Sequence, residues 1–295
     1  MRQADRKARA GQGVRRETAP IRKQGKVGPG GNWPAGARCA VTLTFDNMSE
    51  ANELHRYGHA MGQYAEGAYA PRVGLGRILD LLDRCHVPAT FFIEGWSGEQ
   101  YPEAVKAIVD RGHEVGAHGY MHEEWGALSP ATERELMEKT TAILRGLVGA
   151  APRGWRSPGA VMTPLTVELL AGLGYRYTSD FTDRDLPYVM EGGTLVQLPF
   201  AWVLDDYVYY APARAIRSTR DVIEIWREEF EATYAEGGYF NLCCHPRLSG
   251  RAARVRALEE FIRTMQEHPG VWFARCEEVA QWCREASARP SDAVE

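Results

Sequence analysis

The stretch Ala40-Val41-Thr42-Leu43-Thr44-Phe45-Asp46 is a run of apolar, β-branched and aromatic residues closed by a carboxylate. Such a run suits a short strand buried within a sheet, with its one charged group delivered at its C-terminal end. Comparable runs lie outward from it at Ala89–Ile93, Glu114–Ala117, Gly154–Arg156, Arg176–Asp180, Leu195–Leu198, Tyr239–Cys243 and Val271–Ala274. Between them are stretches with helical period. Val73–Cys85 sets Val73, Ile78, Leu81 and Leu82 on one side, and Pro102–Arg111 does the same with Val105, Ile108 and Val109. Thr132–Leu147, Thr219–Tyr234, Val255–Gln266 and Glu277–Arg284 follow. Thr163-Pro164 reads as an N-cap with proline at the first helical position, opening a helix to Leu173 that Gly174 ends. Strands alternating with helices predict parallel strands joined by right-handed crossovers, and about eight such units predict a closed or nearly closed α/β barrel. An open doubly wound sheet is the alternative. No G-x-G-x-x-G or Walker pattern follows any strand, so its nucleotide-binding forms lose support.

The chain has 295 residues, 44% of them hydrophobic and 25% charged, which suits a single large domain over residues 34–288. Residues 1–33 are rich in Arg, Lys, Gln and Gly without an apolar period, and are expected to form a flexible arm. Residues 289–295 are expected to be a disordered tail. Net charge is −4 with the two signs interspersed, which argues against nucleic acid and anionic membranes as partners. No apolar run approaches the roughly 20 residues that cross a bilayer, and Met1–Arg16 is polar and basic with no apolar segment behind it. The six cysteines are scattered and form no C-x-x-C pattern. Reduced, buried thiols in a cytoplasmic protein are therefore expected.

In a parallel barrel, reactive groups gather at the C-terminal ends of the strands, because the loops there converge on one mouth. Asp46 closes the first run, His118 and His122 follow Glu114–Ala117, Arg156 closes the fourth, Asp180 the fifth, and His245 follows Tyr239–Cys243. Within Gly112-His113-Glu114-Val115-Gly116-Ala117-His118-Gly119-Tyr120-Met121-His122, His118 and His122 stand four apart. On a helical turn they would share a face and converge on one zinc-like divalent ion, leaving positions for water and substrate. Blander readings exist for each residue. Asp46 could cap a following helix, Arg156 could pair with a buried carboxylate, and His245 before Pro246 could be a loop residue satisfied by backbone. His86 and His113 read as structural.

Thr44-Phe45-Asp46-Asn47, His118-x-x-x-His122, Arg156-Ser157-Pro158 and Cys244-His245-Pro246 stand in the order and approximate spacing of the motifs of the polysaccharide deacetylases. The chain resembles that family, the NodB-homology group of carbohydrate esterase family four, from Ala40 to Trp282. Within it, Ser179–Tyr188, Leu198–Asp206, Gly250-Arg251 and Gly270–Ala274 look closest to the branch of peptidoglycan deacetylase homologues, cyclic imide hydrolases and allantoinase-like proteins. The resemblance implies a distorted (β/α) barrel of seven or eight parallel strands and a hydrolase of C–N amide bonds. It implies Asp46 as general base, His245 as the acid that protonates the departing nitrogen, and Arg156 as the group holding Asp46. His118 and His122 would be ligands of a divalent metal, expected to be zinc. An amide resists attack and releases a poor leaving group, so a base, an acid and a Lewis acid are the set the chemistry needs. Asp180, with Asp183 and Asp185 as rivals, is expected to orient His245, to cap a loop, or to face substrate. Trp202 and Pro158 are also expected at the substrate.

The sequence departs from the family at one place. Relatives supply a third, carboxylate ligand directly after the base or two positions on, where this chain has Asn47 and Met48. An amide oxygen is a neutral, weaker ligand, and a thioether suits softer ions. Three arrangements follow: Asn47 ligates weakly, Asp46 ligates, or another group substitutes. Candidates for the last lie in Met48–Ala70, an insertion carrying Glu50, Glu53, His55 and His59 that reads as a lid or subunit-contact arm. Folded over the mouth with Trp202, Tyr207, Tyr209 and Tyr210, it would narrow a groove into a pocket for a small amide, imide or N-acyl compound. The same aromatics also suit sugar stacking, core or dimer contacts. Resemblance suggests a homo-oligomer. The competing functions are a metal-independent allantoinase-like amidohydrolase and a catalytically inactive ligand-binding relative, the latter opposed by the retention of Asp46, Arg156 and His245 together.

Overall fold

The computed structural model describes residues 33–211 and 216–288, so the expected arm, apart from Trp33, and the expected tail lie outside the described residues. Every residue of β1 (Cys39–Asp46) is buried. Its threonines belong to that buried set because they find partners: Thr42 Oγ1 donates to Asn241 and Thr44 Oγ1 to the Leu242 carbonyl, 3.0 and 2.9 Å away. One side of β1 pairs in parallel with β8 (Tyr239–Cys244). On the other side its first residues pair with β9 (Val271–Phe273) and its last with β2 (Thr90–Ile93).

From β2 the sheet continues in parallel through β3 (Glu114–Ala117), β4 (Gly154–Trp155), β5 (Tyr177–Thr178) and β7 (Val196–Gln197). The expectation of purely parallel strands fails at β6 (Tyr188–Val189), which runs antiparallel to β7. The reason is local. The short connection from β6 to β7 turns through Gly192 and Gly193, both at positive φ, and so short a link can join only antiparallel neighbours. The full order is β6-β7-β5-β4-β3-β2-β1-β8, with β9 on β1. Where β8 faces the far end of the sheet, Asp205 makes a single parallel bridge to Cys243, and Asn241 Nδ2 donates to the Pro199 carbonyl at 2.9 Å. The barrel is thus curled shut by a bridge and a side chain, which is its distortion.

Helices cover the outside. α2 (Leu75–Cys85) buries Ile78, Leu79, Leu81 and Leu82, but Val73 is 38% exposed, because the chain enters α2 through a π-helical turn at Ala70–Gly74. That turn brings Gly74 against the Pro246 carbonyl so closely that a Cβ would stand 2.1 Å from it. α5 (Pro130–Val148) starts earlier than its apolar period does, because Ser129 caps it by accepting the Thr132 N–H. α6 (Pro164–Leu173) opens on a Thr163 capping box and ends at Gly174 in the left-handed region, as its sequence predicts. α4 (Pro102–Asp110), α8 (Thr219–Glu236), α10 (Ala252–Gln266) and α11 (Cys276–Ala288) complete the layer. Four short helices without a strong sequence period sit on the loops: α1 (Ala51–Tyr57), α3 (Gly95–Gln100), α7 (Tyr207–Tyr210) and α9 (Pro246–Ser249). All six cysteines are buried and unpaired. No helix among the described residues is long and apolar enough to cross a membrane.

Candidate active site

Asp46, the last residue of β1, is 4% exposed and would be costly as an anion but for one neighbour. Arg156, just beyond β4, places Nη1 3.0 Å from Asp46 Oδ1 and 2.8 Å from Thr44 Oγ1. The other guanidinium nitrogens are fixed by Ser179, Nε to its carbonyl at 3.0 Å and Nη2 to its hydroxyl at 2.8 Å, while the plane lies 4.4 Å over the Phe92 ring. Burial alone would push the Asp46 carboxyl up, but the Arg156 charge, helped by His118 and His245, outweighs it and holds the group below its ordinary value. Asp46 is therefore an ionised carboxylate inside the protein, held by Arg156 at Oδ1 and by the Cys243 thiol, 3.5 Å away, at Oδ2.

His245 follows β8 and is the residue from which α9 starts. Its Nδ1 lies 2.6 Å from Asp206 Oδ1, and its backbone N–H donates to Oδ2 of the same carboxylate at 2.9 Å. Asp206 is fully buried and also accepts from the Ser249 hydroxyl. With Nδ1–H given to Asp206, the other ring nitrogen is left for chemistry. Burial works against the imidazolium, yet the charge and hydrogen bond of Asp206, with Asp205, more than offset it and raise His245 above its ordinary value. The Asp46 carboxyl and the His245 imidazole are thus displaced in opposite directions, the pattern expected where two neighbouring groups serve as base and acid.

His118 and His122 converge, their ring centroids 5.1 Å apart in an edge-to-face arrangement. The cause is not the helical turn expected from their spacing. After β3 the chain reverses through Gly119 at φ 68°, and His122 itself adopts φ 60°, so a left-handed turn swings the second ring back to the first. His118 Nδ1 is held 2.8 Å from the Arg156 carbonyl, which makes it a donor and leaves the opposite nitrogen with a free lone pair. Burial lowers both imidazoles, His122 well below its ordinary value, so both are neutral and able to ligate. Asn47, another non-glycine at positive φ (57°), lines the same cavity as the two histidines, and its Oδ1 and His122 Nδ1 are buried without hydrogen-bond partners. Two neutral imidazoles and an orphaned amide oxygen fit a divalent cation with a weak third ligand. Met48 does not belong to that set: its side chain packs in the apolar core.

Asp46, Asn47, His118, His122, Arg156 and His245 all line one cavity of about 220 Å3. Among the described residues, one trio of potential ligands, Asp205, Cys243 and His245, has donor atoms within 4.8 Å of one another. Its donors are poorer. Burial pushes the Cys243 thiol well above its ordinary value, and His245 Nδ1 is committed to Asp206. Asp46, His118 and His122 do not form a trio that tight among the described residues.

The chain is 31% identical to the peptidoglycan deacetylase of Helicobacter pylori over 276 residues, 81% of this chain and 94% of that one. The chain belongs to the polysaccharide deacetylase family. The family's polysaccharide deacetylase model matches residues 36–178. A structure from Mycobacterium smegmatis assigned to polysaccharide deacetylases is 36% identical and superposes with a TM-score of 0.82 over 91% of this chain and 98% of its own. PuuE allantoinase is 27% identical, with a TM-score of 0.78 over 89% of this chain and 95% of that one. As a polysaccharide deacetylase family member, the chain is a hydrolase of carbon–nitrogen amide bonds.

Other expected site residues divide. Trp202, 48% exposed, and Tyr207 stand on the cavity wall of this deacetylase-family protein, while Tyr210 is buried and Tyr209 gives its hydroxyl to the Val203 carbonyl. Pro158 is not on the wall. It packs under Gly119, where a Cβ would meet it at 2.7 Å, and its neighbours Ser157 and Gly159 face the cavity instead. Asp180 does not touch His245. It accepts the Ser157 N–H at 2.7 Å and the Thr178 hydroxyl, so it braces the loop that carries Arg156, and burial pushes it up to about 6. The carboxylate that orients His245 is Asp206, which follows no strand-end pattern in the sequence. The insertion folds inward as α1, with Asn52 and Arg56 on the cavity wall, whereas His55 and His59 are exposed and Glu50 accepts from the Tyr101 hydroxyl at 2.6 Å.

Proposed function

We propose that this chain hydrolyses the amide C–N bond of a small N-acyl, amide or cyclic imide substrate, or of an N-acetylated sugar, with Asp46 as general base and His245 as general acid. The observation that carries the reading is that both side chains open on one small cavity, with Asp46 held ionised and His245 favoured in its charged form. Asp46 takes a proton from the attacking water, and Arg156 keeps it both ionised and aimed. His245 delivers its proton to the departing nitrogen, with Asp206 fixing the ring. His118, His122 and Asn47 Oδ1 would hold a divalent ion of the zinc type, which when bound supplies Lewis acidity at the scissile carbonyl. The cavity volume supports a small substrate, or one unit of a larger one, over a long embedded strand.

The test is amine release from a panel of N-acyl, amide and cyclic imide compounds and N-acetylglucosamine oligomers. Asp46→Asn and His118→Ala are expected to lose turnover while retaining the wild-type circular dichroism. Full activity in either variant defeats the assignment.

A second reading, an allantoinase-like hydrolase without a tightly held metal, is favoured by the neutral Asn47 at the ligand position and by the likeness to PuuE allantoinase. Elemental analysis of the purified protein, with activity measured after chelation, separates the two. The six unpaired buried thiols support a reducing, cytoplasmic setting. Tyr57 and Met61, exposed on the insertion, support a homo-oligomeric contact, which light scattering on a Met61→Lys variant tests.

A further inference from the structure

Three polar side chains on the cavity wall take no part in the acid–base chemistry. Arg247, on α9, is only 6% exposed. A guanidinium is a fork of N–H donors with no acceptor, and leaving such a cation buried with its donors unmet is costly. Among the described residues, its side chain makes one hydrogen bond, Nη1 to Glu66 Oε2, long at 3.3 Å, and that carboxylate is also its ion-pair partner, so the charge is met while most of the fork's N–H groups are not. Its plane also lies 5.6 Å over the Tyr207 ring, another wall residue. The carboxylates that share the wall are committed elsewhere. Asp46 is held by Arg156, and Asp205 accepts the Tyr207 N–H at 2.8 Å beside His245.

The insertion adds two more groups from α1. Arg56 lines the cavity, and its nearest carboxylate, Glu124, stands 3.7 Å away on an exposed side chain, outside hydrogen-bond distance. Asn52, one turn earlier on the same face, has a buried Oδ1 with no partner. The wall therefore offers two incompletely used guanidiniums and one orphaned amide acceptor. Together they ask for a ligand that presents an anionic, planar acceptor to the guanidiniums and an N–H to Asn52.

We infer that Arg247, with Arg56 and Asn52, forms a carboxylate-binding subsite, so that the substrate is a small amide that itself bears a carboxylate, of the N-acyl amino acid class. The inference rests on the hydrolytic reading for its amide half; the subsite itself is a matter of binding.

The probes are N-acetylglycine and its neutral counterpart N-acetylglycinamide, titrated calorimetrically into the full-length protein. The carboxylate is expected to bind at least about tenfold more tightly, the scale of a charge-assisted fork. Arg247→Gln brings the two affinities to within about twofold, and Arg247→Lys, which keeps the charge but not the fork, retains part of the preference. Should Arg247→Gln fold poorly once Glu66 loses its partner, Arg56→Gln at its exposed position narrows the preference by about threefold. Equal affinities in the wild type, no binding of either probe, or a preference intact in Arg247→Gln overturns the inference. Turnover is read separately. A carboxylate preference without hydrolysis of any amide sinks the hydrolytic reading and leaves the subsite standing, and hydrolysis of neutral amides without the preference does the reverse.

Discussion

Asp206 Oδ1 lies 2.6 Å from Nδ1 of His245, and Oδ2 of the same carboxylate accepts the His245 backbone N–H, so one buried anion fixes both the ring and the chain that carries it. The two contacts do different things. The ring contact sets the tautomer and favours the imidazolium, while the backbone contact fixes where α9 starts. Asp206→Asn keeps the shape and removes the charge. Turnover is expected to fall by about 10² to 10⁴, the range seen when an orienting carboxylate is neutralised. Because Asp206 raises His245, its loss lowers the acid's pKa, and the alkaline limb of the rate profile moves to lower pH. A variant that is slower but has an unmoved alkaline limb would show that Asp206 only supports the fold.

Arg156 and Asp46 form a buried pair, 3% and 4% exposed, at 3.0 Å. Removing one member leaves the other charged and unsolvated, so Arg156→Met is expected to cost about 3–5 kcal/mol of stability at neutral pH. The sign with pH follows from Asp46. Its folded value is depressed, so its stabilising share is complete above the ordinary carboxylate range and is lost as pH falls through the depressed value. The gap between wild type and variant should therefore shrink in strong acid. Urea unfolding at two pH values checks this, and a gap independent of pH counts against an ionised Asp46.

Much of this was legible in the residues themselves. Asp46, His118, Arg156 and His245 end or follow strands, and strand ends in a parallel barrel converge by topology, so their meeting needed no knowledge of side-chain geometry. The Thr163 cap and Gly174 stop were equally local, and the structure repeats them residue for residue. What escaped depends on tertiary context. The β6–β7 reversal rests on two glycines that also suit an ordinary loop. The His118–His122 approach depends on left-handed backbone at His122, which spacing alone does not announce. Asp206 reaches His245 without standing at a strand end, and Asp180, at a strand end like Asp46 and Arg156, faces its own loop. Arg247 and Asn52 carried no motif and became visible only on the cavity wall, Arg247 with a single side-chain hydrogen bond and Asn52 with an unpartnered Oδ1.

Glu94, after β2, is wholly buried. Its Oε2 accepts the Met48 N–H at 3.1 Å and the Ser97 hydroxyl at 2.8 Å, but Oε1 has no partner, and burial pushes the group up to about 7. For an acid raised in the folded state, the native form binds the extra proton between its ordinary range and that value, so stability falls as pH rises through the window. Glu94→Gln removes this term and is expected to gain on the wild type by up to about 3 kcal/mol between pH 5 and pH 8. The residual slope should not vanish, because burial also lifts Glu114 to about 7. Thermal melts of both proteins across that range decide it, and parallel curves would mean that Glu94 is ionised in the fold.

Asn47 offers the sharpest test of the metal reading, because its backbone already holds the side chain in the left-handed region that Asp tolerates as well as Asn. Asn47→Asp changes a neutral oxygen donor into an anionic one with little change of shape. Beside His118 and His122, an added charge strengthens attraction for a divalent cation, so cobalt or zinc affinity is expected to tighten by about tenfold or more. The measurement is direct titration of the metal-stripped protein, followed by the cobalt absorption band, and it does not depend on knowing the substrate. The same carboxylate would stand near Asp46 without a cation between them, so the stripped variant should lose stability and regain it on adding metal. Unchanged affinity, with no metal-dependent gain in stability, would remove Asn47 from the ligand set and leave the two imidazoles as a polar wall for substrate.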